Sequence, residues 1–102
     1  MATGFNTRQV TLSTTRAKIA DLDASRTDLY ITNEDAAIKI RVGDSTVDKA
    51  GGTAENIGLC IMPGQTLPLI SSTGVSIIAT AELWAIADSG TPACSVLEWG
   101  EF

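Results

Sequence analysis

The 102-residue chain contains no histidine. This removes Ser–His–Asp and Cys–His nucleophilic mechanisms, His-ligated metals and the usual general base near neutral pH. Its two cysteines, Cys60 and Cys94, lack metal-ligand spacing. Each falls in an apolar run, which predicts two buried free thiols, with a disulfide as the alternative. Two carboxylate pairs, Asp21/Asp23 and Glu34/Asp35, have the composition a glycosidase uses. Both sit in polar, turn-like segments where nothing would desolvate one partner and raise its pKa, so they read as turn and solvated-face residues. Asp21-x-Asp23 lacks the ladder and closing Glu of an EF-hand loop. Gly51-Gly52 lacks the following Lys-Ser/Thr of a phosphate loop. Exposed tryptophans stack on sugar rings, but Trp84 and Trp99 lie in apolar strand contexts that favour core or interface packing. Arg26, in a polar turn before a strand, reads as a tie to a carboxylate or to carbonyls, or as a solvated side chain. The sequence thus predicts no catalytic residue, no metal site and no cofactor, and the chain is not expected to be an enzyme.

The elements around these residues alternate with the period of strands. Residues 9–14 place Val10 and Leu12 on one face. Residues 27–33 and 38–42 turn Leu29, Ile31, Ile38, Ile40 and Val42 inward and read as a β-hairpin with one wet face. Residues 43–57 form a long loop around Gly51-Gly52, either a surface excursion or a contact arm. Pro63-Gly64 is a turn signal. Pro68 has no N–H and places residues 65–69 at a sheet edge. Residues 75–79 and 83–87 are apolar on both faces, and residues 94–99 close the chain. Only residues 15–22 offer a helical turn. The pattern predicts an all-β, small antiparallel β-sandwich or jelly-roll-like domain of about eight strands. It forms a single unit over residues 1–102, with an N-terminal arm over 1–8. The expected core includes Leu67, Val75, Ile77 and Trp84.

Composition narrows the partners. The chain is 44% hydrophobic and 19% charged, with a net charge of −5. All seven basic residues precede Ala50, where seven acids balance them; the remainder holds five acids and no base. This argues against a nucleic-acid backbone or an anionic membrane as partner. No signal peptide or membrane-length apolar run is visible, which predicts a soluble product made in a cytoplasm. The two-sided apolar strands call for cover, from a second subunit or from the chain's own N-terminal segment and long loop. The candidate partner or oligomer interface is Phe5, Val47, Asp48, Lys49, Ile78, Leu83, Trp99 and Phe102.

The segment Arg26-Thr-Asp-Leu-Tyr-Ile-Thr-Asn33 resembles a signature of small virion proteins of tailed bacteriophages. So do Pro63-Gly64-Gln-Thr-Leu67, Leu83-Trp-Ala-Ile-Ala-Asp-Ser-Gly-Thr91 and Val96-Leu-Glu-Trp99. The resemblance spans roughly residues 26–99. It implies a β-sandwich attached to a capsid or tail, as a head decoration (cement) protein or as a fibre or adaptor component. The favoured reading is a virion structural protein that binds and stabilises the capsid shell as a decoration protein, assembled in the bacterial cytoplasm. The implied partners are the major capsid protein or another virion protein, and further copies of itself in a homo-oligomer such as a trimer. A tail, fibre or head–tail accessory role and a carbohydrate-binding module are the alternatives. The polar loop residues Asp48, Lys49 and Glu55 depart from the family pattern.

Overall fold

The computed structural model describes residues 3–23, 26–49, 58–70 and 82–101. The chain forms eight strands there: β1 (Thr3–Thr11), β2 (Ala17–Ala20), β3 (Arg26–Asn33), β4 (Ile40–Gly43), β5 (Leu59–Ile61), β6 (Thr66–Ile70), β7 (Leu83–Ala87) and β8 (Ala93–Glu101). They form two four-stranded antiparallel sheets, ordered β1-β8-β3-β6 and β2-β7-β4-β5. Six of the seven connections between these strands pass from one sheet to the other; only β4 and β5 are both consecutive and paired. This interleaving is the strand order of a jelly-roll sandwich.

The inner faces interdigitate. Leu12, Leu29, Ile31, Cys94 and Val96 from one sheet meet Ile19, Ile40, Val42, Ile61, Ala85 and Ala87 from the other. Each fully buried Leu or Ile contributes about 1.5–3 kcal/mol of transfer free energy. Leu29, Ile31 and Ile40 are core residues as expected, whereas Ile38, Leu67 and Trp84 are only half-buried. Val75, Ile77 and Ile78 lie outside the described residues. Pro68 does lie on an edge strand, β6. The Pro63-Gly64 turn is closed by the Gln65 amide donating to the Met62 carbonyl at 3.0 Å, with Gly64 at φ 75°.

Several expectations are corrected. Strands β3 and β4 do not form a hairpin; they belong to different sheets, and residues 34–39 carry the chain between them. Alternation fixes which face of a strand is buried but not which strand it pairs with. The side chain of Asn33 supports the crossing from within. Its Nδ2 donates to the carbonyls of Ile38 (2.8 Å) and Ile61 (3.0 Å), and its Oδ1 accepts from the Asp35 amide at 3.0 Å. The Asp35 carboxylate then accepts from the amides of Ala37 and Ile38, which holds its pKa below the ordinary value.

Residues 3–8 are not an arm before the first strand. They pair with β8 in a continuous ladder from Thr3↔Glu101 to Thr11↔Ala93. Their polar composition hid a strand made by tertiary pairing rather than by propensity. Within residues 15–22, the only stretch with helical prospects, residues 17–20 form the strand β2.

Apolar residues on both faces of β7 do not by themselves leave surface for a neighbour. Ala85 and Ala87 fill the core, while Ile86, on the opposite face, is also buried within the single chain. Beside it in the register, Arg41 reaches Asp88 with a two-point ion pair, Nε to Oδ1 at 3.0 Å and Nη2 to Oδ2 at 3.4 Å.

The cysteines differ from expectation in one respect. Both are free, but Cys60 is exposed on β5 and only Cys94 is buried. Cys60 faces away from the core beside Arg41, whereas its neighbour Ile61 faces in. Burial pushes the Cys94 thiol up to about 11. A thiol reagent applied to the native protein should therefore label one cysteine per chain, Cys60, and reach Cys94 only after denaturation. Rapid modification of both in the native state would contradict the packing of β8.

Candidate functional site

Two places on the sandwich gather polar side chains. The first lies at one end of the interior. Strand alternation turns Arg8 of β1 and Glu98 of β8 inward, on the faces that further along carry Val10 and Val96. Arg8 Nη1 donates to Glu98 Oε1 at 2.5 Å, and its Nη2 donates to the Ile19 carbonyl of the opposite sheet. Arg26, 1% exposed, places Nη1 3.6 Å from Glu98 Oε2 and donates to the Asp21 carbonyl at 3.0 Å. Glu98, 7% exposed at its side chain, is thus clasped by two guanidinium groups. Arg26 is the tie to a carboxylate and to a carbonyl that its position suggested.

Lys18 and Asp21 pair at 3.0 Å on the rim of this cluster. Their mutual hydrogen bond raises the lysine pKa and lowers that of the aspartate. The cavity they border is about 370 Å³. Its chemistry is that of a clasp. The acids and bases are matched, and the charged groups engage one another and backbone carbonyls that join the two sheets.

The second place is the outer face of the β1-β8-β3-β6 sheet, where a shallow cleft of about 560 Å³ lies over the strands. The register builds the face as three rungs. Gln9, Ser95, Thr32 and Thr66 stand side by side in the first. Thr7, Leu97, Tyr30 and Pro68 form the second. Phe5, Trp99 and Asp28 belong to the third, with the Phe5 and Trp99 ring centroids 4.2 Å apart at 53°. Thr32 and Thr66 share a hydrogen bond of 2.7 Å, and the Tyr30 hydroxyl donates to Asp28 Oδ2 at 3.1 Å. That last contact raises the tyrosine pKa.

Of the candidate interface residues, the structure brings Phe5 and Trp99 together on this outer face. Val47 is corrected: it is fully buried, its methyl packed over Gly58, where a Cβ would lie 2.6 Å from Val47 Cγ2 and 2.3 Å from the Val42 carbonyl oxygen. Gly58 adopts φ 69° to allow this approach. Asp48 and Lys49 are half-buried beside it, and Leu83 packs against the core edge. Ile78 and Phe102 lie outside the described residues.

Sequence reasoning missed the outer-face residues Tyr30 and Leu97, although alternation against Ile31 and Val96 carries the signal. It also missed Leu59 and Met62, which are 61% and 45% exposed. Both come from an apolar run that reads as core. Among the described residues no group of three or more Cys, Asp or Glu side chains is arranged to hold a metal ion. No family model and no curated protein sequence matches the chain.

Proposed function

We propose that this chain is a structural protein of a tailed-phage virion that binds and stabilises the capsid shell as a decoration protein. The observation that carries the reading is the edge strand β5. It lies at the margin of the β2-β7-β4-β5 sheet and exposes Leu59, with Met62 just beyond it. An edge strand offers unpaired backbone groups to a partner, and apolar side chains on it supply burial when one docks.

The residues behind the phage resemblance support the reading in a second way. Arg26 and Glu98, from two separate motifs, form the interior clasp, Leu29 and Ile31 fill the core, and Asn33 supports the sheet crossing. The motifs are spent on holding a sandwich together, which suits a protein whose task is to remain folded on a particle. Jelly rolls serve both capsid and lectin domains, a fold-level analogy only.

Docking is assigned to β5, against the shell or a second copy; residues 50–57 of the expected contact loop lie outside the described residues. The test is sedimentation of the isolated protein, followed by mixing with phage particles stripped of it. The protein should return to the particles in many copies spread over the shell. Leu59→Asp with Met62→Asp should abolish return while leaving the melting temperature nearly unchanged, because both side chains are exposed. Apolar docking should persist in about 1 M salt, where exposed charges are screened within about 3 Å. A few copies confined to one vertex would favour the tail or head–tail alternative. A monomer that ignores stripped particles would overturn the proposal.

A further inference from the structure

We propose that the outer face of the β1-β8-β3-β6 sheet binds an uncharged oligosaccharide. The inference goes beyond the virion reading and does not depend on it, since the proposed docking strand β5 belongs to the other sheet.

The chemistry of the face is graded along the strands. At one end stand the amide of Gln9 and the hydroxyls of Ser95, Thr32 and Thr66; at the other stand the rings of Phe5 and Trp99, with Tyr30 between. Phe5 is 67% exposed. Its ring leans on the half-buried Trp99 and keeps an aromatic surface presented to solvent. A pyranose has the matching duality, with an apolar C–H face that stacks on a ring and a rim of hydroxyls that both donate and accept. Aromatic side chains with a polar handle suit such half-wet contacts. The cleft over the first two rungs, about 560 Å³, falls in the range of small-ligand sites, roughly 300–1,000 Å³, and the Phe5–Trp99 pair stands on the next rung beyond its lining.

Charge decides between occupants. Arg8 borders the cleft, but its guanidinium is engaged on the inner side, by Glu98 and the Ile19 carbonyl. Asp28 is the one ionisable carboxylate among the described side chains of the three rungs. A face without a cation does not hold a phosphate backbone or an acidic glycan. A second copy stacked face to face would bury two Asp28 carboxylates and two rungs of hydroxyls with few partners, which is costly. A sugar brings hydroxyl donors to Asp28 and both donors and acceptors to the hydroxyl rung. The floor is also pre-organised, since β8 and β3 are paired on both sides, and little ordering free energy is lost on binding.

The test uses the full chain on a microbial glycan array, followed by titration calorimetry of the best ligand. Binding to at least one uncharged glycan is expected, unchanged in about 1 M NaCl. Trp99→Ala and Gln9→Ala should each weaken it at least about tenfold. Trp84→Phe, on the other sheet, should leave it unchanged. Gln9 is exposed, so its variant tests the site even if the Trp99 variant is poorly folded. Four results would overturn the proposal: no glycan retained, binding indifferent to both outer-face variants, binding only to acidic glycans, or self-association that Phe5→Ser disrupts.

Discussion

Replacing Glu98 by Ala should destabilise the protein by about 3–5 kcal/mol, the cost of removing one partner from a buried ion pair. The carboxylate is 7% exposed and faces Arg26, which is 1% exposed, so the substitution takes a carboxylate away from a buried guanidinium. The carbonyl of Asp21 still accepts from Arg26, which keeps the loss from being larger. Arg8 would lose its 2.5 Å contact as well, but its side chain is partly exposed and water can replace part of that bond. Arg8→Ala should therefore cost less than Glu98→Ala. The decisive comparison is the double substitution Arg26→Met with Glu98→Leu. Removing both charges and restoring volume should recover most of the stability lost by Glu98→Ala, because buried pairs are often no better than apolar replacements. Urea denaturation of the single and double variants measures the difference. A Glu98→Ala loss below about 1 kcal/mol, the level of an exposed pair, would mean that the cluster is solvated.

What the sequence could announce is what repeats locally. The two-residue period of β3 identified Leu29 and Ile31 as core, and Pro68 identified an edge, because each depends on one strand alone. Pro63-Gly64 announced its turn for the same reason. Partner choice is not local. The run 27–42 satisfies every rule for a hairpin, yet β3 pairs with β8 and β6 while β4 pairs with β7 and β5. Residues 3–8 become a strand only because β8 lies beside them. The outer-face site has the same character. Gln9, Ser95, Thr32 and Thr66 are scattered along the chain and become one rung only once the sheet order is known. Phe5 and Trp99 were each singled out in the sequence, but their contact with each other was not. Val47 and Cys60 exchanged places with expectation: a loop valine is buried against Gly58, and a cysteine in an apolar run is exposed on a short edge strand.

Asn33→Ala should cost about 2–4 kcal/mol, because it strips hydrogen bonds from groups that the fold has taken out of water. Asn33 is fully buried at the point where β3 ends. Its amide nitrogen serves the carbonyls of Ile38 and Ile61, and its oxygen serves the Asp35 amide. Its backbone is held as well, donating to the Gln65 carbonyl and accepting from the Gly64 amide. The backbone bonds survive the substitution, so the measured loss isolates the side chain. Asn33→Asp is nearly the same size but should be worse than Ala at neutral pH, since a carboxylate would meet two carbonyl oxygens where an NH₂ group stood. Burial and the facing acceptors raise the folded-state pKa of the introduced carboxyl above the ordinary aspartate value of about 3.9. Between that ordinary value and the raised one, the folded state holds a proton that the unfolded state has released. Stability of this variant therefore falls as pH rises through that window and levels off above it. The native Asp35, whose pKa is lowered, contributes the opposite slope at lower pH. Denaturation at about pH 4 and at neutral pH should show the Asp variant gaining on the Ala variant as protons are added, because the protonated carboxyl can donate to one carbonyl. Equal stabilities of the two variants at both pH values would show that Asn33 does not bridge the sheets through its NH₂ group.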